Sequence, residues 1–120
     1  MMTVWFEIPA RDFDRAKKFY STILDFDILE EVMGDTKMGF FPMEGYEQSG
    51  AIAWGKDYVP SSDGPVIYLN GGKDLQVILD RVESAGGKII IPKELVTKEI
   101  GYVAWFLDSE GNRIGLWSKN

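Results

Sequence analysis

The chain contains neither cysteine nor histidine. Without cysteine there is no disulfide framework, no thiol nucleophile and no thiolate metal site. Without histidine it lacks the usual general base near neutral pH and the usual ligand for zinc, iron, nickel or copper. Any metal site would have to be built from oxygen ligands. Nor does any apolar run approach the roughly 18 residues that span a bilayer, and the N-terminus shows no basic segment leading into an apolar signal core. The expectation is a soluble cytoplasmic protein that does not engage a membrane. Positive charge is in deficit as well: 13 Lys and Arg stand against 19 Asp and Glu, for a net charge of -6. This argues against a nucleic-acid partner.

What is present suits one compact domain over residues 1–120, since 45% of the residues are hydrophobic. Two apolar runs joined by the turn DSEGN make up residues 101–119, GYVAWFLDSEGNRIGLWSK, a hairpin that would finish a sheet. Residues 37–56, KMGFFPMEGYEQSGAIAWGK, echo it. Strict alternation in TVWFEIP (3–9) predicts a strand with Val4, Phe6 and Ile8 on one face and Trp5 and Glu7 on the other. Asp12 would cap a helix burying Phe13, Ala16, Phe19, Tyr20, Ile23 and Leu24. Strands are then expected over 26–32, 37–41 and 50–54.

The turn-rich segment DYVPSSDG (57–64) is the one linker-like stretch, and beyond it the pattern restarts. A strand over 65–70 leads to a helix capped by Asp74, with Leu75, Ile78, Leu79, Val82 and Ala85 inward. Strands over 88–91, 102–107 and 112–117 complete the chain. The two helix caps lie 62 residues apart, and the two Trp-X-Lys tripeptides at 54–56 and 117–119 lie 63 apart. A period near 60 residues predicts two βαβββ modules, about 1–57 and about 64–120, in an α+β fold. Their sheets would pair into a curved eight-stranded surface, helices on the convex side and a concave cleft on the other.

Strand parity assigns Trp5 and Glu7, together with Arg113, Gly115 and Trp117, to the cleft face. Aromatic walls with one acid and one base suit a flat organic ligand held by stacking and oriented by charge. Trp105, Tyr68 and Phe41 join these as candidate ligand contacts, and Tyr46 and Tyr58 are within reach of the cleft as hydrogen-bond donors. The alternative for Glu7 and Arg113 is a salt bridge across the mouth; for the tryptophans it is core or dimer-seam filling. DSEGN lacks the twelve-residue calcium-loop pattern and is expected to be only a turn.

Four segments in order, FEIPARDFDRAKKFYSTILDF, GAIAWG, RVESAGGKIIIPK and FLDSEGNRIGLWS, cover nearly the whole chain. Together they resemble the vicinal oxygen chelate superfamily of glyoxalase I, bleomycin resistance proteins and extradiol dioxygenases. The resemblance implies the paired-module fold and frequent homodimers. It also implies four metal-ligand positions, which fall here on Trp5, near Ile52, near Ile67 and on Gly115, none of them a metal ligand. The expectation is therefore a protein with no metal and no cofactor, binding a small, flat or amphipathic molecule as bleomycin resistance proteins do. Two other functions stay open: a metal-independent isomerase or lyase with Glu7 as catalytic base, or a non-catalytic interaction or regulatory module.

Overall fold

The structure, a computed structural model, describes residues 2–42 and 49–120. Its elements run β1 (Phe6–Pro9), α1 (Phe13–Leu24), β2 (Leu29–Met33), β3 (Thr36–Phe40) and β4 (Gly50–Trp54), then β5 (Ile67–Asn70), α2 (Gln76–Ala85), β6 (Lys88–Thr97), β7 (Gly101–Leu107) and β8 (Arg113–Ser118). This is βαβββ twice. The strands form two four-stranded sheets of identical plan, β1-β4-β3-β2 and β5-β8-β7-β6. In each, the first strand of the module pairs parallel with the last, and the other ladders are antiparallel. The surface expected as one eight-stranded sheet is thus built from two sheets lying in one α+β fold.

Each helix arises where the apolar spacing places it. Phe13, Ala16, Phe19, Tyr20 and Ile23 are the buried face of α1, and Asp12 accepts from the Arg15 amide as its N-cap. The inward residues of α2 include Leu79 and Val82; Leu75, at its N-cap position, is also fully buried. Asp74 binds the Gln76 amide one position earlier than a regular cap would. The two helices pack on each other, tied where Arg81 of α2 donates to the Ile23 carbonyl at 3.0 Å. One buried cluster runs across both modules, from Ile8, Phe19 and Ile52 to Leu69, Leu79, Phe106 and Leu116. No described helix is long and apolar enough to cross a membrane.

Several strand limits differ from expectation, for physical reasons. β1 begins at Phe6, leaving Val4 69% exposed rather than packed beside Phe6 and Ile8. β2 starts three residues later than expected, and all five of its residues are exposed. β6 runs to Thr97, well past the expected end at Ile91. Pro92 and the charged Lys93-Glu94 pair hide the strand in the sequence. They are tolerated because β6 is an edge strand, whose pairing with β7 shifts register around Ile91 and Glu94.

Candidate functional site

The hairpin β7–β8 holds the site in place. Its turn is far more than a surface loop, since Asp108, Glu110 and Asn112 are all buried. Glu110 reaches the start of α1, accepting from the amides of Arg11 and Asp12 at 2.8 and 2.7 Å and from Arg15 Nε at 2.7 Å. An anion at a helix N-terminus meets unpaired amides and the positive end of the helix dipole. Burial pushes the Glu110 carboxyl up, but Arg15, the backbone amides and Ser109 outweigh it and hold it below the ordinary glutamate value. Asp108 accepts from Tyr20 Oη at 2.6 Å and from two amides of its own turn, yet burial still raises its carboxyl. The Tyr20 hydroxyl is pushed well above its ordinary value by burial first, then by the charge and hydrogen bond of Asp108. Asn112 joins the modules directly, donating to the Pro9 carbonyl at 2.7 Å and accepting from the Ser61 amide at 3.0 Å. At the other end of β8, buried Ser118 accepts from the Leu75 amide beside the start of α2. One hairpin thus anchors both helix N-termini.

Burial assigns the two faces of each sheet. Ile8, Ile52, Leu69, Ile114 and Leu116 face the helices in the common core. The neighbours of these residues along each strand therefore face away from the helices. On the first sheet this helix-free face carries a small cluster of Met38, Ala51 and Ala53, with Trp5, Phe40 and Tyr58 packed on it. Here Glu7 is held by two donors, Tyr58 Oη at 2.9 Å and Trp5 Nε1 at 3.3 Å. Its hydrogen bond raises the Tyr58 hydroxyl.

On the second sheet the same face carries Tyr68, Trp105, Arg113 and Trp117. Trp105 Nε1 donates to Tyr68 Oη at 2.7 Å, and the Arg113 guanidinium lies 4.8 Å from the Trp105 ring centroid. Gly115 permits this arrangement. Tyr68 sits opposite it in register, and a Cβ there would fall 2.5 Å from the Tyr68 ring. Trp117 is 37% exposed and donates to the Ile100 carbonyl.

Where β1 of one module meets β5 and β8 of the other lies a cavity of about 330 Å³, lined from the core side by Ile8, Ile67 and Ile114. Glu7 and Arg113 both line it, with the 57–64 connection and its neighbour Pro65 supplying Val59, Ser61 and Pro65 as further wall. No ion pair joins Glu7 to Arg113 among the described residues, so the expected alternative of a salt bridge across the mouth is not what holds them. Arg113 instead donates from Nη2 to the Gly64 carbonyl at 2.9 Å.

Of the candidate residues, the structure gathers Trp5 and Glu7 on one sheet and Tyr68, Trp105, Arg113 and Trp117 on the other. Phe41 is not among them: it is 4% exposed in the core, edge-on to Tyr20 at 5.2 Å and tilted against Phe6 at 5.5 Å. Tyr46 lies outside the described residues. Tyr58, expected within reach of the cleft as a hydrogen-bond donor, donates to Glu7. Val59 and Pro65 were not singled out, because the connection that carries them reads as turn formers.

The metal-ligand positions need a register correction. Ile52 and Ile67 face the helices, and the helix-free positions opposite Glu7 and Gly115 are Ala51 and Tyr68. Trp5, Ala51, Tyr68 and Gly115 offer a single oxygen, the Tyr68 phenol, already accepting from Trp105. A divalent ion needs several anionic or lone-pair donors to replace its hydration, and this set does not fit one. Among the described residues no group of three or more acidic side chains converges elsewhere.

Paired βαβββ units with a helix-free cleft define a class of α+β proteins, and comparison places the chain within it. The sequence model of the Glyoxalase/Bleomycin resistance protein/Dioxygenase superfamily matches residues 3–116, so the chain belongs to that superfamily. No curated protein matches it. Among solved structures, a glyoxalase/bleomycin resistance protein from Albidiferax ferrireducens T118 superposes with a TM-score of 0.72 at 14% identity, covering 100% of both chains. The trypanothione-dependent glyoxalase I of Leishmania major gives 0.72 at 15% identity, over 99% of this chain and 87% of that one. TnmS3, an antibiotic-binding protein from Streptomyces sp. CB03234, gives 0.67 at 21% identity, over 100% and 97%. Identities this low carry the fold.

Proposed function

We propose that the chain, acting as a single domain over residues 1–120, is a cytoplasmic homodimer that binds a small, flat or amphipathic organic molecule in its aromatic cleft without a catalytic metal. The observation that carries this is the helix-free face, where Trp5, Tyr68, Trp105 and Trp117 lie together with Glu7 and Arg113, the acid and the base that line the neighbouring cavity. Aromatic faces give a planar ligand large contact area, and convergent polar groups fix its orientation. The donor set at the metal positions supports a metal-free role. TnmS3, an antibiotic-binding protein of the same fold, supports a small-molecule-binding role. Exposed Leu29, Val32 and Met33 on the edge strand β2 favour a second copy covering that edge.

The test is a screen of planar aromatic and amphipathic compounds by thermal shift and tryptophan fluorescence, paired with native mass spectrometry of untagged protein. Saturable quenching with a raised melting temperature, and a dimer mass without metal, are expected. If no compound shifts either signal, the binding role is refuted; a stoichiometric metal in the native mass refutes the metal-free part.

A further inference from the structure

Among the described residues, five aromatic side chains on the helix-free face carry one polar hydrogen each: Trp5, Tyr58, Tyr68, Trp105 and Trp117. Four of these hydrogens are already given to protein acceptors. Trp5 and Tyr58 donate to Glu7, Trp117 donates to the Ile100 carbonyl, and Trp105 donates to Tyr68 Oη. The Tyr68 hydroxyl has no acceptor for its own proton among the described residues, and the side chain is 46% exposed, so a ligand can reach it.

That hydroxyl is held in place from two sides. Its ring lies over Gly115, where a Cβ would come within 2.5 Å of it, and the 2.7 Å bond from Trp105 Nε1 takes one lone pair and turns the proton away from the indole. The Arg113 guanidinium, 4.8 Å from the Trp105 ring centroid, draws electron density from the indole and makes its N–H a better donor. Hydrogen bonds in series strengthen one another by about 10–30% each. Arg113, Trp105 and Tyr68 thus form a polarised series that ends at an accessible O–H.

Such a donor selects an acceptor. A carboxylate would bring a second negative charge to a face that already holds Glu7, on a chain of net charge -6. A neutral carbonyl oxygen meets no such repulsion. It accepts close to the plane of its own ring, which leaves the ring face free to stack. Trp117, the diagonal neighbour of Tyr68 across β5 and β8 and 37% exposed, offers a surface for stacking. We infer that the ligand is a planar ring system bearing a neutral carbonyl, and that Tyr68 is the residue that selects it, donating its O–H to the carbonyl oxygen while the ring lies against Trp117. This rests on the binding role proposed above and specifies the ligand class for it.

Matched pairs with and without the carbonyl isolate the contact: coumarin against naphthalene, 9-fluorenone against fluorene, and 1-indanone against indane. Tyr68→Phe keeps the ring over Gly115 and removes only the hydroxyl. In fluorescence titrations it should weaken binding of the carbonyl members about tenfold and leave the hydrocarbons unchanged. The infrared carbonyl stretch of bound 9-fluorenone should lie lower in the wild-type complex than in the Tyr68→Phe complex, a shift that a purely structural role for Tyr68 would not produce. Trp105→Phe, which keeps the phenol but removes the indole N–H, should cause a smaller loss confined to the carbonyl members. Equal weakening of both members of each pair, no weakening of either, or an unshifted carbonyl stretch overturns the inference. Flat compounds that bind wild type and Tyr68→Phe alike overturn it while leaving the cleft-binding role intact, whereas failure of every compound in the wider screen refutes both.

Discussion

Replacing Glu110 by Ala should be among the most damaging single changes available in this chain. Its carboxylate is 1% exposed and serves the Arg11 and Asp12 amides leading into α1, the Arg15 guanidinium and the Ser109 hydroxyl. Arg15 is 52% exposed, so water takes over its donors when Glu110 is lost and that pair contributes little. The amides of Arg11 and Asp12 lose a charged acceptor that the buried turn holds in place. Hydrogen bonds to a charged group are worth about 1.5–3 kcal/mol each and share one acceptor here, so the expected loss is about 2–4 kcal/mol. For a chain of this length that lowers the melting temperature by roughly 10 °C. Arg15→Ala should cost far less, because solvent screens an exposed guanidinium. Urea and thermal unfolding followed by circular dichroism measure both. The pH dependence gives a further check. Glu110 is held below its ordinary 4.5 in the folded state, so its stabilisation is complete above that value and lost as pH falls through the lowered one. The gap between wild type and Glu110→Gln should therefore be constant near neutrality and close below about pH 4.5. A Glu110→Ala protein as stable as wild type, or an Arg15→Ala protein equally damaged, would refute the assignment of Glu110 as the latch of α1.

Other outcomes follow from the same contacts. Tyr20 has its hydroxyl raised well above 10, so it stabilises the fold below that pH and the contribution is lost as pH rises further; Tyr20→Phe should flatten the alkaline limb of a stability–pH curve. Phe41→Ala should cost about 3–5 kcal/mol as a core truncation, and in unfolding and binding assays it should leave ligand affinity per folded molecule unchanged. Gly115→Ala places a Cβ against the Tyr68 ring and should break the Tyr68–Trp105 hydrogen bond, seen as a changed tryptophan emission with little loss of stability because Tyr68 is 46% exposed.

The period-two pattern of β1 and the apolar stripes of the helices were legible because each element buries one face, and burial is written into sequence spacing. The repeat of about 60 residues followed from the same stripes, and with it the two-module plan. The edge strands were less legible: β2 is wholly exposed and β6 carries Pro92, so neither shows the alternation that a half-buried strand requires. Parity assigned the two faces of β1 and β8, whereas the internal repeat put the implied metal positions near Ile52 and Ile67, one residue from the helix-free Ala51 and Tyr68. Counting from the helix caps cannot see a one-residue offset, and one residue reverses the face. Phe41 illustrates a related ambiguity, since an aromatic at a strand end packs equally well into a core or a cleft until its neighbours are placed.

By itself the sequence determined the elements, their duplication, the superfamily and the absence of imidazole and thiol ligands, because these depend on composition and on local periodicity. The tertiary structure decided what the polar residues do. DSEGN reads as a turn because its partners, Arg11, Asp12, Arg15 and Tyr20, lie about 90 residues away and only folding brings them to it. Arg113 and Glu7 could equally have paired with each other. Only the path of the 57–64 connection, which supplies Tyr58 to one and Gly64 to the other, keeps them apart on the wall of one cavity.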